Sequence, residues 1–244
     1  MAPGPGLTLS IAEKRFPGTT PPLFADVRLD IAPGSVTALF GPSGIGKSTL
    51  LRLVAGIDRD FAGSIAIDGI PAHQAPPPGF VFQDPRLLPW RTARDNVRAA
   101  SPTISAETAD AALARVGLAT QATAWPRMLS GGMQRRVALA RAFATNARLL
   151  LLDEPFISLD RALVDDMHQL LADIIAATGA TVIFAAHSPR DVARLATRVV
   201  TLAGRPATIA QDLTFPLPPA QRDGATIAAY ASQLATGVPH AALD

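Results

Sequence analysis

The chain has 244 residues, of which 48% are hydrophobic and 17% charged, with a formal net charge of +2. That length fits one large α/β domain, or a core with a smaller inserted lobe, and suffices for a real hydrophobic core. The absence of cysteine excludes disulfides and thiolate metal sites, and the lack of any long basic block argues against a nucleic-acid footprint.

In chain order, residues 7–16 and 23–31 read as two short strands joined by the turn-rich Pro17–Pro22. Ser35–Phe40 is a third apolar run, followed by a glycine cluster and then Ser48–Val54 at helical spacing. Gly63–Gly69 alternates as another strand, and Pro71–Gly79 is a proline-rich loop. Residues 91–125 read as an inserted helical lobe, with helical spacing in Ala106–Val116. Ser130–Ala144 is a predicted helix, Leu149–Leu152 a fully buried strand, Arg161–Thr178 a helix and Thr181–Ala186 another buried strand. Residues 189–196 look helical and 198–202 read as a strand; the tail, 212–244, is rich in Pro and Ala with one short helix near Ala225–Leu234. Buried strands alternating with helices imply a parallel sheet whose ligand sits at the strands' C-terminal ends.

The longest core-like stretch without charge, Ile174–Ala186, has 13 residues, short of the roughly 20 a spanning helix needs. Met1–Gly6 has neither a basic nor an apolar region of a secretory signal, so the chain is expected in the cytosol. Lys14 and Lys47 are the only lysines; Glu13, Glu107 and Glu154 are the only glutamates. Scarce residue types mark positions worth inspection.

Residues 41–49 read GPSGIGKST, a phosphate-loop pattern between a predicted strand and a predicted helix. Gly41, Gly44 and Gly46 let the backbone curl with its N–H groups inward, where Gly41, Pro42, Ser43, Gly44, Ile45, Gly46, Lys47, Ser48 and Thr49 would wrap a nucleotide's phosphates. Lys47 would reach the β- and γ-phosphates, and Ser48 would offer a hydroxyl to Mg²⁺. Four leucines end in Asp153 and Glu154, two carboxylates that suit a metal site at a sheet edge. Asp153 would hold Mg²⁺ through water, and Glu154 would act as general base for the attacking water. His187 follows a buried strand ending at the same edge, where it could meet the γ-phosphate and orient Glu154. His73, His168 and His240 have no such setting and read as surface or loop residues.

LSGGMQRR, residues 129–136, places an N-cap, Ser130, before Gly131 and Gly132 at a helix start, a second anion-binding helix end. Two such ends in one chain make sense if two chains pair head to tail, each lending Ser130 and Gly132 to the other's nucleotide.

At this point the chain resembles the ABC (ATP-binding cassette) ATPase family, from about residue 7 to 210. LSGGMQ beside GPSGIGKST is specific to that family. The resemblance implies one ABC ATPase domain over 1–244: a P-loop core with a mostly parallel sheet and an N-terminal antiparallel β subdomain (1–83 and 146–210), a helical subdomain (about 84–145) and a tail (211–244). It implies an adenine-stacking role for Phe16, and for Gln83 in FVFQD a contact to Mg²⁺ and to the membrane partner. It places Ser158, Leu159 and Asp160 at a dimer interface and makes His187 the switch histidine. FQDPRLLPWRTARDNV (82–97) resembles importer ATPases for nitrate, taurine, alkyl sulfonates and thiamine-precursor pyrimidines, with Arg86, Leu87, Leu88, Pro89 and Trp90 where a permease helix docks; the same run also reads as local packing of the lobe. AAHSP around His187 departs from the family, which usually has Thr before the histidine and Asp after it. Ile157-Ser158 replaces a Gly-Ala pair common in the subfamily.

The expected function is that of an ATP hydrolase using ATP and Mg²⁺, peripheral on the cytoplasmic face of the inner membrane. Its expected partners are a second copy or paired cassette, integral membrane permease subunits and, indirectly, a solute-binding protein. The alternative is an ABC ATPase regulating a non-transport membrane complex. ABC ATPases of DNA repair and of translation are disfavoured: the interval 49–129 has no room for a coiled coil, and the chain holds one cassette.

Overall fold

Two hydrophobic periods in the sequence produce two different sheets. A computed structural model describes residues 2–157 and 161–237. In chain order its elements are β1 (Leu7–Lys14), β2 (Phe24–Ile31), β3 (Val36–Phe40), α1 (Lys47–Val54), β4 (Ala62–Ile67), β5 (Ile70–Pro71) and β6 (Gly79–Val81). Then come α2 (Ala93–Arg98), α3 (Ala106–Arg115), α4 (Gly131–Phe143), β7 (Leu149–Asp153), α5 (Arg161–Thr178) and β8 (Thr181–Ala186). The chain continues through α6 (Pro189–Leu195), β9 (Arg198–Ala203), β10 (Thr208–Thr214) and α7 (Gly224–Gly237).

β1 alternates, burying Leu7, Leu9 and Ile11 while Thr8, Ser10 and Ala12 face out, as a strand with one wet face must. It is one of the two inner strands of an antiparallel sheet ordered β2-β1-β4-β5. β3, β7 and β8 are buried along their whole length. Such fully buried, largely apolar strands are stable only with both faces covered, which a parallel sheet provides. They form the centre of the second sheet, ordered β10-β9-β3-β8-β7-β6, parallel throughout except for its antiparallel edge strand β10.

The central sheet separates two hydrophobic cores, and the two-residue period decides which side chain joins which. Leu150, Leu152, Val182 and Phe184 enter the core shared with α2–α6, while Leu149, Leu151, Ile183 and Ala185 enter the core shared with α1 and the antiparallel sheet. Register brings Phe40 beside Ala186, and Asp153 beside Ala185. The loops that follow β3, β7 and β8 therefore leave the sheet along one edge, the edge where parallel α/β sheets place their ligands.

The strands β5, β6 and β10 lie where the sequence shows a loop or no element. β10 runs through the proposed start of the tail at 211, and α7 is longer than expected and buries Leu234 in the core. Among the described residues no helix is long and apolar enough to cross a membrane.

Candidate functional site

The loop after β3 is shaped by close packing. At Gly41 (φ +147) a Cβ would lie 2.6 Å from the Leu202 carbonyl oxygen on β9, and at Gly46 (φ +110) it would lie 2.6 Å from the Phe24 ring. Only glycine gives both the backbone conformation and the space. α1 starts without a side-chain cap, so its first N–H groups stay available at the loop. Ile45 turns its side chain into the core. Lys47, the first residue of α1, is buried, and its Nζ donates to the Gly41 and Pro42 carbonyls at 2.9 and 3.0 Å. Burial pulls its ammonium below the ordinary lysine value, against the opposing pull of Glu154 and Asp153.

β7 delivers the two carboxylates in different ways. Asp153 is the strand's buried last residue, and its Oδ1 accepts from Ser48 Oγ at 2.7 Å. Burial pushes its carboxyl up, while Ser48, Arg52 and Lys47 pull the other way. Glu154 leaves the strand in the left-handed region (φ +48), a conformation that costs a non-glycine residue about 1–3 kcal/mol. Its N–H donates to the Ala185 carbonyl at 3.2 Å, which fixes the turn. The turn sets the carboxylate between Lys47 Nζ (3.8 Å) and His187 Nδ1 (3.5 Å). His187 is half exposed at the end of β8, whereas Glu154 is nearly covered. The structure thus gathers Lys47, Ser48, Asp153, Glu154 and His187, drawn from three separate strands, into one cluster. A carboxylate held between an ammonium and an imidazole can take a proton from water while the two neighbours steady negative charge.

Phe16 stands exposed just past β1. Its turn lies beside the phosphate loop, because Leu23 donates its N–H to the Lys14 carbonyl and packs with Phe24 against Gly46. Gln83 is exposed after β6 and lines, with Asp153, Asp84, Arg52 and Arg135, a cavity of about 340 Å³. Ser130 caps α4, its Oγ accepting from the Met133 N–H at 3.3 Å, and Gly131 faces open space. Ser130 and Gly131 are exposed, whereas Gly132, expected with Ser130 to meet a partner's nucleotide, is buried at the start of α4. Ser158, Leu159 and Asp160 lie outside the described residues, as does His240.

The run at 86–90 divides. Leu87 packs on the core, Leu88 is half-buried and Trp90 is 67% exposed. Its backbone is held from beneath by residues that no motif announces. Buried Asn96 accepts the Leu88 N–H at 2.7 Å and donates to the carbonyls of Leu88, Arg91 and Thr92. Arg141 of α4 donates to the Pro85 and Arg86 carbonyls at 2.8 and 3.0 Å. The only sign of Asn96 in the sequence is its place among Ala93 and Val97 on the buried face of α2. Beside Phe82 and Arg86 opens a larger cavity, about 910 Å³, between the lobe and the antiparallel sheet.

One expectation is corrected. His168 is neither a surface nor a loop residue; it lies within α5, 4% exposed, because Met167, Leu171 and Ile174 put it on the helix's buried stripe. His73 is exposed, as expected.

Residues 24–157 match the family described as "ABC transporter". A relative from Xanthomonas axonopodis pv. citri, "Aliphatic sulfonates import ATP-binding protein SsuB 1", is 42% identical over 87% of this chain and 87% of its own. An aliphatic sulfonates import ATP-binding protein of Mycobacterium avium is 45% identical over 72% of this chain and 70% of its own. The chain belongs to the ABC transporter family. The cassette is also similar in structure to a dimeric ATP-binding cassette solved in a post-hydrolysis state with ADP and Pi, with a TM-score of 0.76 and 28% identity over 85% of this chain and 98% of that one. It is an ATP-binding and ATP-hydrolysing cassette of P-loop fold.

Proposed function

We propose that this cassette powers a bacterial importer of a small organic anion of the sulfonate type, working as a pair on the cytoplasmic face of the membrane beneath a permease. The observation that carries the catalytic part is the Glu154 carboxylate fixed between Lys47 and His187. In this reading Lys47 and the amides of 41–49 hold the triphosphate, and Phe16 stacks on the base. Glu154 takes the proton of the attacking water as the γ-phosphorus–oxygen bond to ADP breaks. His187 and Lys47 steady the charge that develops on the departing phosphoryl group.

The residues fit a magnesium ion. Ser48 and Asp153 are hard oxygen donors 2.7 Å apart, and Asp153 is a buried carboxylate whose ionised form a cation would favour against the upward pull of burial. Gln83 borders the same cavity. Bound there, Mg²⁺ would supply charge neutralisation on the phosphate oxygens.

The exposed Ser130–Gly131 turn supports completion of the site by a second cassette, as does the dimeric state of the structural neighbour. Exposed Trp90 and the 910 Å³ cavity beside Phe82 and Arg86 support docking of a cytoplasmic permease segment. The sulfonate-type solute, delivered by a binding protein, rests on the relatives' import function.

Glu154→Gln tests the chemistry. It should bind ATP as the wild type does and turn over about 100-fold more slowly or worse, a loss of the size that general acid–base catalysis contributes; near-normal turnover would remove Glu154 as the base. Affinity purification from gently solubilised native membranes tests the assembly. A permease and a solute-binding protein should co-purify, whereas a cell-wall or division factor in their place would move the function to regulation.

A further inference from the structure

We propose that His168 is a positioning residue that locks the Glu154 loop to the His187 loop and so sets the Glu154–His187 pair. This rests on the catalytic reading above.

The two loops belong to different strands, and their paired side chains are 3.5 Å apart with His187 half exposed. A contact of that kind needs support from below, and one buried ring supplies it on both sides. Toward the Glu154 loop, His168 stacks on Phe156, two residues past Glu154, with ring centroids 4.0 Å apart at 28°. Phe156 is itself buried, and the Ile157 N–H donates to the Glu154 carbonyl, which ties the turn to the ring. Toward the His187 loop, His168 Nε2 lies 3.4 Å from Asp191 Oδ1. The Asp191 N–H donates to Ser188 Oγ, the cap that starts α6 directly after His187. Movement of α6 against α5 would therefore pass through His168 to both loops.

The ring's own state suits this work. The ring faces the Val164 carbonyl one turn back along α5 and the Asp191 carboxylate, 3.4 Å from Nε2, and neither contact is a well-formed hydrogen bond. Burial lowers it to about 4, with Arg194 and Arg190 adding to the effect and the Val164 carbonyl and Asp165 opposing. A neutral imidazole can stack on Phe156 and lend an N–H toward Asp191, whose carboxyl burial pushes up. A core hydrocarbon could fill the space but would offer Asp191 no donor.

A double-mutant cycle on ATP turnover separates positioning from packing. His168→Phe keeps the ring and removes the nitrogens. It should lower kcat about tenfold with the KM for ATP within about twofold, and His168→Gln, which restores a donor, should recover part of the loss. In a His187→Ala background, His168→Phe should cost less than about twofold more, because the group it positions is gone. An equal loss in both backgrounds, or an unchanged kcat in a variant with the wild-type unfolding midpoint, would overturn the proposal. Asp191→Asn supplies the same cycle from the other end should His168→Phe not fold, with the same two outcomes. If His187→Ala and Glu154→Gln themselves keep full turnover, the catalytic reading fails, a result distinct from an additive His168 cycle.

Discussion

The chain's two lysines stand at opposite ends of α1, one at its first residue and one against the turn beyond its last, and both are almost fully buried, at 4% and 2% exposure. Their partners differ. Lys14 Nζ meets the Asp58 carboxylate at 2.9 Å, the Asp60 carbonyl at 2.6 Å and the Asp60 carboxylate at 3.6 Å. Lys47 Nζ meets two neutral carbonyls, and its nearest carboxylate, Glu154, is 3.8 Å away. The first ammonium has contact counter-charges and pins the 55–61 turn to β1. The second has dipoles and a stand-off acid, which leaves part of its positive charge uncompensated at the loop after β3. Burial does not distinguish the two lysines; their sets of counter-charges do.

The first way to break this contrast is to remove each charge. Lys14→Met strands Asp58 and should cost about 3–5 kcal/mol of unfolding free energy, the typical effect of removing one partner of a buried pair. Denaturant unfolding measures it, and ATP affinity should fall less than about threefold. A large loss of affinity with intact stability would give Lys14 a direct role at the nucleotide.

His168 sharpens the contrast as a third buried base, one whose counter-charge is never adequate. Its folded value, about 4, lies below the ordinary 6.5, so the unfolded chain binds more protons between these pH values. Stability should therefore fall as pH drops from about 6.5 to about 4. The wild type should lose on the order of 2–3 kcal/mol more than His168→Gln over that window. Parallel unfolding curves for the two proteins across it would contradict the depressed value.

Lys47→Ala should act the other way from Lys14→Met. A charge-assisted bond to phosphate contributes about 1.5–3 kcal/mol, so ATP affinity should fall about 100-fold at the upper end. Removing a buried, under-compensated charge should leave the unfolding free energy unchanged or slightly raised. Collapse of stability would make Lys47 a structural lysine like Lys14.

The legibility of these features follows their range in the sequence. The phosphate loop, the four leucines ahead of Asp153 and Glu154, and the Ser130 cap are runs of adjacent residues whose chemistry is complete within a turn or two. The sheet class is equally plain, because β3, β7 and β8 are nearly continuous apolar runs, interrupted within only by Thr37. β10 leaves little trace in the sequence because Thr208–Thr214 offers only Ile209, Ala210 and Leu213 as apolar residues; it is a strand because β9 pairs with it, not because of its own pattern. Arg141 reaches the carbonyl of Arg86 across 55 positions, and such side-chain-to-backbone bonds leave no local signature. His168 was readable in part, since its helical neighbours place it on the buried stripe, but its contacts to two loops arise only when α5 packs on α6.

The smallest predicted effect joins the two ends of the comparison. Phe16 lies 4.9 Å, ring centroid to Nζ, from Lys14, and its turn adjoins the loop that carries Lys47. If Phe16 stacks on adenine, Phe16→Ala should weaken ATP binding about tenfold, since stacking of a base on an aromatic ring contributes about 1–3 kcal/mol. The ring is exposed, so unfolding free energy should move by less than about 0.5 kcal/mol. Inorganic triphosphate has no base to stack and should bind Phe16→Ala and wild type alike, while Lys47→Ala weakens both ligands. Equal loss of ATP and triphosphate affinity in Phe16→Ala would mean that the turn shapes the phosphate loop itself, and the division between an anchoring end and a binding end of α1 would have to be redrawn.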